Sequence, residues 1–148
     1  MPVEPRFRDQ IRCLVLKDRR ARALNDALAP DDRVAFNDFL VSVAAVLLAP
    51  RLGVRCGIEE VAAFSDEVAA RHREERRPVN EFVVEEILRE IYGIPPLFSA
   101  FPVPLAAVSG AGAAIVRHLT DTDDAVAVGV DRILDMAEHV HGRRTRGF

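Results

Sequence analysis

The chain has 148 residues but no tryptophan, one tyrosine, two methionines and two cysteines, and Lys17 is the single lysine among 20 basic residues. Cys13 and Cys56 stand far apart and form no CxxC pair. That spacing excludes a disulfide scaffold and a cysteine-based zinc module, and both are expected as free thiols in a reducing compartment. Arginine codons are mostly GC-rich, so the near absence of lysine points to a high-GC, bacterial genome and carries no functional information. The longest charge-free apolar stretch, Phe39 to Ala49, falls short of the ~20 residues that cross a bilayer. The opening residues, Met1 to Arg6, lack the basic-then-apolar layout of a signal peptide. A soluble, cytoplasmic chain with no membrane association is therefore the expectation.

No phosphate loop, paired metal motif or nucleophile elbow occurs, and no cofactor or metal is expected. What remains is ordinary for a globular protein: 49% hydrophobic residues, 29% charged, a net charge of −3 and a pI near 5.8. A chain of this length buries roughly 70% of its unfolded surface, enough for a core without staples. The mild negative charge does not favour polyanion binding, so nucleic acid ranks low among partners.

Apolar residues recur at helical intervals throughout. The first helix is expected over Arg6 to Leu28, with Ile11 to Leu16 open to a strand alternative. Asp31 or Asp32 then caps a second helix, about Asp32 to Ala49, apolar nearly all round and stopped by Pro50 and Gly53. Ile58 to Arg77 is the cleanest amphipath: Ile58, Val61, Ala62, Ser65, Val68, Ala69 and His72 share a stripe with Phe64 at its edge. Asn80 caps the next helix, with Val79 and Val84 as a hydrophobic staple and Gly93 as its C-terminal glycine. Residues 94–104 form a proline-rich apolar connector laid over the core. Leu105 to Leu119 is an alanine- and glycine-rich helix. Thr120 or Thr122 caps the last one, which Gly142 closes. The expected architecture is all-α: a single compact domain over 1–148, five or six helices in an orthogonal or bundle-like array, with 1–5 and 142–148 frayed.

Candidate chemistry is sparse. His72 lies on an apolar stripe two turns after Ser65, but a nucleophilic serine also needs an oriented base and an oxyanion hole. Glu138 and His141 give a single ExxH spacing where helical metal sites need two. Ser109-Gly110-Ala111-Gly112 imitates a dinucleotide loop without a preceding strand, and as part of a helix-turn-helix it would present alanines to the bases. Cys56, just ahead of a helix and beside Arg55, has the setting of a low-pKa thiol. Basic residues gather at 17–22, 71–77 and 143–146. In and around the connector, Tyr92, Leu97, Phe98 and Phe101 could close the core, line a pocket or meet a partner. The leading expectation is a non-enzymatic interaction or regulatory protein acting through a homodimer or a protein partner. Behind it stand a small-molecule binder or enzyme with a pocket near the connector, built from His72, Tyr92 and Cys56, and then nucleic-acid binding through the arginine clusters.

Overall fold

Proline sets two of the helix starts. Pro5 and Pro30 occupy first-turn positions, where the missing N–H has no intrahelical acceptor to lose. The computed structural model describes residues 3–97 and 103–146, with side chains described as far as Arg143. Within them run α1 (Pro5–Val15), α2 (Arg20–Asp26), α3 (Pro30–Leu52), α4 (Ile58–Glu74), α5 (Glu81–Tyr92), α6 (Leu105–Asp121), α7 (Ala125–Val128) and α8 (Val130–Arg146). The all-α expectation holds, with eight helices rather than five or six, and no strand occurs among the described residues.

The extra helices arise at breaks that hydrophobic spacing does not reveal. The segment expected as one helix divides because Lys17 turns left-handed, at φ 57°. The Asp18 amide then bonds back to Cys13, and the Asp18 carboxylate accepts from the Arg20 amide to start α2. Ile11 to Leu16 is helical up to Val15, not a strand. Arg76 repeats this left-handed turn at φ 56° after α4, which ends at Glu74 instead of Arg77. At the other break, Thr120 and Thr122 do not cap the last helix. Their hydroxyls donate to Val116 and His118 carbonyls and finish α6. Asp123 starts the one-turn α7 by accepting from the Ala125 amide.

Three expected boundaries also move. Asp31 and Asp32 sit in the first turn of α3, favourable for the helix dipole, while Ala29 holds the cap position. Pro50 lies inside the last turn of α3 and the helix ends at Leu52, ahead of Gly53. α8 runs through Gly142 to Arg146, over residues expected to fray. Other signals were read correctly: Asn80 Oδ1 accepts from the amides of Phe82 and Val83, and Gly93 closes α5 in the left-handed region.

α3 is the centre of the fold. It packs mainly against α6 and α8, with α1 and α5 also touching it, while α4 and α5 pair and both reach α6. Phe39, Leu40, Val43, Ala44 and Leu48 of α3 are fully buried, facing Ile115, Val116 and Leu134 in one apolar cluster. By length and composition α3 alone among the described residues could span a membrane, and more than half of that stretch is buried inside the fold. Ion pairs fasten α1 to α8: Arg8 reaches Asp135 at 2.9 Å and Glu138 at 3.4 Å, and Arg12 pairs with Asp131. Being exposed, such pairs contribute about 0–1 kcal/mol each.

The glycines of α6 have opposite surroundings. A Cβ on Gly112 would stand 2.7 Å from Leu40 Cδ2, in the α3–α6 contact, whereas a Cβ on Gly110 would meet nothing within 4 Å. Helix propensity favours alanine over glycine by about 1 kcal/mol, and overpacking a core costs about 1–3 kcal/mol. Gly110→Ala is therefore expected to melt above the wild type and Gly112→Ala below it. A thermal scan placing Gly112→Ala at or above wild type would show that the two helices are not in close contact there.

Candidate functional site

The connector supplies less than its composition promised. Phe98 and Phe101 lie outside the described residues. Leu97 is exposed, and its amide donates to the Glu86 carboxylate. Tyr92 is half-buried, with its hydroxyl donating to the Gly53 carbonyl at 3.2 Å. Burial first, and then the neighbouring Cys56, pushes that phenol up to about 12. Cys56 is partly buried and its thiol is pushed up by burial and then by the Glu60 charge, as for an inert cysteine rather than the low-pKa thiol that a place before a helix allows. Glu60 reaches back to accept from the Gly57 amide at 2.8 Å, placing an anion where the thiol needed a cation. At the C-terminal end, Glu138 pairs with Arg8, and His141 meets the Phe39 ring edge-on at 6.2 Å between centroids. No group of three or more metal-ligating side chains occurs among the described residues.

His72 is buried at 2% exposure. Its Nδ1–H donates to the Val68 carbonyl at 2.9 Å, one turn back on α4, so the ring is fixed by its own helix. Nε2 is left buried with no hydrogen-bond partner among the described residues, as is the hydroxyl of Ser65. Buried polar atoms without a partner are uncommon enough to mark positions worth searching around.

Two hollows lie beside these elements. The larger is a half-open groove of about 1160 Å³ between α1, α2, the start of α3 and α6. The smaller, about 270 Å³, lies between α6 and the α4–α5 connection, and His72 lines it. Arg77, Gly110 and Arg117 line both. Tyr92, Cys56 and Leu97 line neither. The floor of the groove is a strip of α6, Ala106, Gly110 and Ala113, spaced three and four residues apart and ending one turn later at Arg117. Small side chains there leave the space, and the opposite face of the same helix carries Gly112 and Ile115 into the core.

Asn25, Arg33 and Ser109 line the far wall, and a hydrogen-bonded row continues behind them to Asn37. Asn37 is buried, with its amide nitrogen donating to the Leu105 carbonyl at 3.1 Å and its oxygen accepting from Ser109 Oγ at 2.6 Å. Ser109 Oγ in turn accepts from Arg33 at 3.0 Å. The same guanidinium donates to the Asn25 side chain at 3.2 Å and to the Asn25 carbonyl at 3.0 Å. Asn25 belongs to α2, which buries no residue of its own, so this arginine holds the short helix against the rest of the fold. Of these residues only Ser109 stands out in the sequence, and there as part of a loop-like Ser-Gly-Ala-Gly stretch rather than as a partner of Arg33 and Asn37. The one legible signal was the Ala106, Gly110, Ala113, Arg117 spacing, small residues closing on a cation.

The structure also brings together the first two basic clusters: Lys17, Arg19 and Arg22 line the same groove as Arg77. A second polar assembly ties α3, α4 and α6 behind it. Arg51 donates to both Glu67 oxygens at 2.8 and 2.9 Å, and His118 Nε2 lies 2.6 Å from Glu67 Oε2, with Phe64 edge-on to its ring. Burial opposes the Glu67 charge, but the hydrogen bonds from His118 and Arg51 outweigh it and hold the carboxyl below its usual range.

No protein family matches the chain, and no curated protein or solved structure is detectably similar to it. What fold and site define is an all-α protein with a polar, arginine-lined groove. The depressed Glu67 pKa has a consequence with a definite sign. Its stabilisation is complete above the unfolded value of about 4.3 and is lost as pH falls through the lower folded value. Glu67→Gln should therefore lower the melting temperature at pH 7, and the gap to wild type should close below about pH 4. A gap that stays constant down to pH 3 would remove Glu67 from that role.

Proposed function

We propose that the chain is a small-molecule-binding helical domain and that the α1–α2–α3–α6 groove holds its ligand. The supporting observation is one of shape and polarity together. Ligand pockets usually measure ~300–1,000 Å³ and combine apolar walls with a few convergent polar groups. This groove, at about 1160 Å³, is close to that range, and Ile11, Leu14 and Phe36 stand beside Gln10, Asn25, Arg33 and Ser109. Binding rather than nucleophilic catalysis fits its residues: the Ser109 hydroxyl is engaged by Arg33 and Asn37, with no imidazole or carboxylate on it. The position differs from the one expected near the proline-rich connector.

A homodimer or protein partner ranks second. The exposed large apolar side chains Val34, Val54, Phe82 and Val128 come from separate parts of the chain, and scattered apolar residues are normal on a monomer.

Native mass spectrometry of the untagged protein from its own host tests the reading. The expected spectrum shows the chain with retained small-molecule mass, and that mass is absent from Gly110→Leu, whose side chain fills the groove from a position open to it. Circular dichroism would verify that the variant is folded. A bare monomer, with no thermal shift across a metabolite panel, would dispose of the ligand reading. A dimer without ligand mass would put the partner reading in its place.

A further inference from the structure

The charges of the groove do not balance, and the imbalance lies in the arginines. Of its four acidic side chains, Asp18 is paired with Arg20, Glu75 with Arg71, and Asp121 with both Lys17 and Arg71, while Asp26 makes no ion pair among the described residues. Against them stand six basic side chains, Lys17, Arg19, Arg22, Arg33, Arg77 and Arg117. The basic side chains are served differently. Arg33 is satisfied by neutral acceptors, the Asn25 amide and carbonyl and the Ser109 hydroxyl, so its hydrogen bonds are made while its charge is not neutralised. Arg117 is partly buried and makes no hydrogen bond or close ion pair among the described residues. Burial first, and then the nearby Arg77 charge, draws the Arg117 pKa down by more than the longer-range attraction of Asp121 and Glu75 raises it. Asp121, one turn along α6, would be its natural partner but is already held by Lys17 and Arg71.

Leaving a guanidinium partly desolvated beside another, with no carboxylate in direct contact, costs stability, and such a cost is typical of a site arranged for a ligand. The position is also where the two hollows meet. Arg77, Gly110 and Arg117 line both, and His72, with its buried and unpartnered Nε2, lines the smaller. Gly110 carries no side chain to separate them.

Resting on the ligand-binding reading above, we infer that the ligand is a phosphate-bearing small molecule whose phosphate is held by Arg117 and Arg77 at the junction of the two hollows. The planar guanidinium fork matches phosphate oxygens two at a time, which a lysine at the same place would not do. Charge favours a phosphate over a single carboxylate, since both arginines lack a carboxylate partner and a phosphate ester carries nearly two charges near neutral pH. The remainder of the ligand lies along Ala113, Gly110 and Ala106 toward Arg33. Ser109, which carries the Arg33 contact, precedes Arg117 by eight residues, about 12 Å at 1.5 Å per residue, so the molecule is longer than a bare phosphate if it engages both.

The probes are inorganic phosphate and pyrophosphate, added to the full chain in phosphate-free, low-salt buffer. Thermal shift and amide NMR titration are the readouts. Wild type is expected to show saturable binding, with the largest amide changes over Gly110 to Arg117 and at Arg77. Arg117→Gln should weaken binding on the order of tenfold or more, the scale of one charge-assisted contact. Because the variant removes an unpaired charge, it should melt at or above the wild-type temperature, and that combination of lost binding with kept stability is what a merely structural arginine would not give. Arg117→Lys should recover part of the affinity.

Unsaturable binding, or equal affinity in Arg117→Gln, would overturn the phosphate assignment. So would a preference for duplex RNA over every small phosphate. A neutral molecule that binds the groove while phosphate and pyrophosphate do not would sink this inference alone and leave the ligand-binding reading standing.

Discussion

The close approach of α3 and α6 at Gly112 governs both the core and the groove. With no side chain on Gly112, Leu40 can lie against the α6 backbone, and Ile87 of α5 reaches the same place. That closeness lets Asn37 span to the Leu105 carbonyl and Ser109, and it seats Ile115 and Val116 in the central cluster. A helix only ~10 Å across then turns its other face outward. On that face the residues are again small, but for a different reason: Gly110 and Ala113 border open space rather than a neighbouring helix. One alanine- and glycine-rich segment thus closes the core on one side and leaves a hollow on the other.

Polar groups in the fold fall into two kinds. Arg51, Glu67 and His118 form a set in which cation, anion and imidazole Nε2 meet across three helices, while His118 Nδ1 is buried without a partner among the described residues. Such a set binds elements together. The row of Asn25, Arg33, Ser109 and, behind them, Asn37 is joined by hydrogen bonds but unbalanced in charge. At the far end of the groove Arg117 makes no hydrogen bond or close ion pair among the described residues, with Asp121 and Glu75 acting on it only at longer range. The low dielectric of a partly enclosed site makes that difference matter, since a charge there is poorly answered by water. Arg33 also has a mechanical part. It attaches α2 through Asn25, so the helix that forms one wall of the groove is secured by a side chain facing into it.

Much of the fold could be read from local chemistry. The α4 stripe, the Asn80 cap and the Gly93 terminus are statements about neighbours within a few residues, and they appear as expected except that Ile58, at the start of the stripe, is exposed and Phe64, placed at its edge, is buried. The differences lie at helix ends. Lys17 and Arg76 take left-handed backbone conformations that favour glycine, so no glycine announced the ends of α1 and α4. Pro50 was read as a stop, yet in a final turn it forfeits one hydrogen bond and the helix continues to Leu52. Gly142 was read as a terminus, but α8 passes through it.

The site was less legible than the fold, because it is assembled from distant segments. Arg33 and Asn37 stand one turn apart on α3, but Ser109 lies 72 residues beyond Asn37, so nothing local marks their convergence. Interest fell instead on aromatic density around Tyr92 and on a thiol whose real neighbour is Glu60. His72 was the exception, visible as a titratable residue on an apolar stripe.

The dependence of the whole arrangement on the Gly112–Leu40 contact can be measured with a double-mutant cycle. Leu40→Ala by itself should cost about 2–5 kcal/mol, as buried leucine truncations do. In a Gly112→Ala background the added methyl occupies part of the vacated space, so the same truncation should cost less, by a coupling of about 1 kcal/mol or more. Strictly additive costs would mean that α3 and α6 do not meet there, and the groove built on that meeting would lose its foundation.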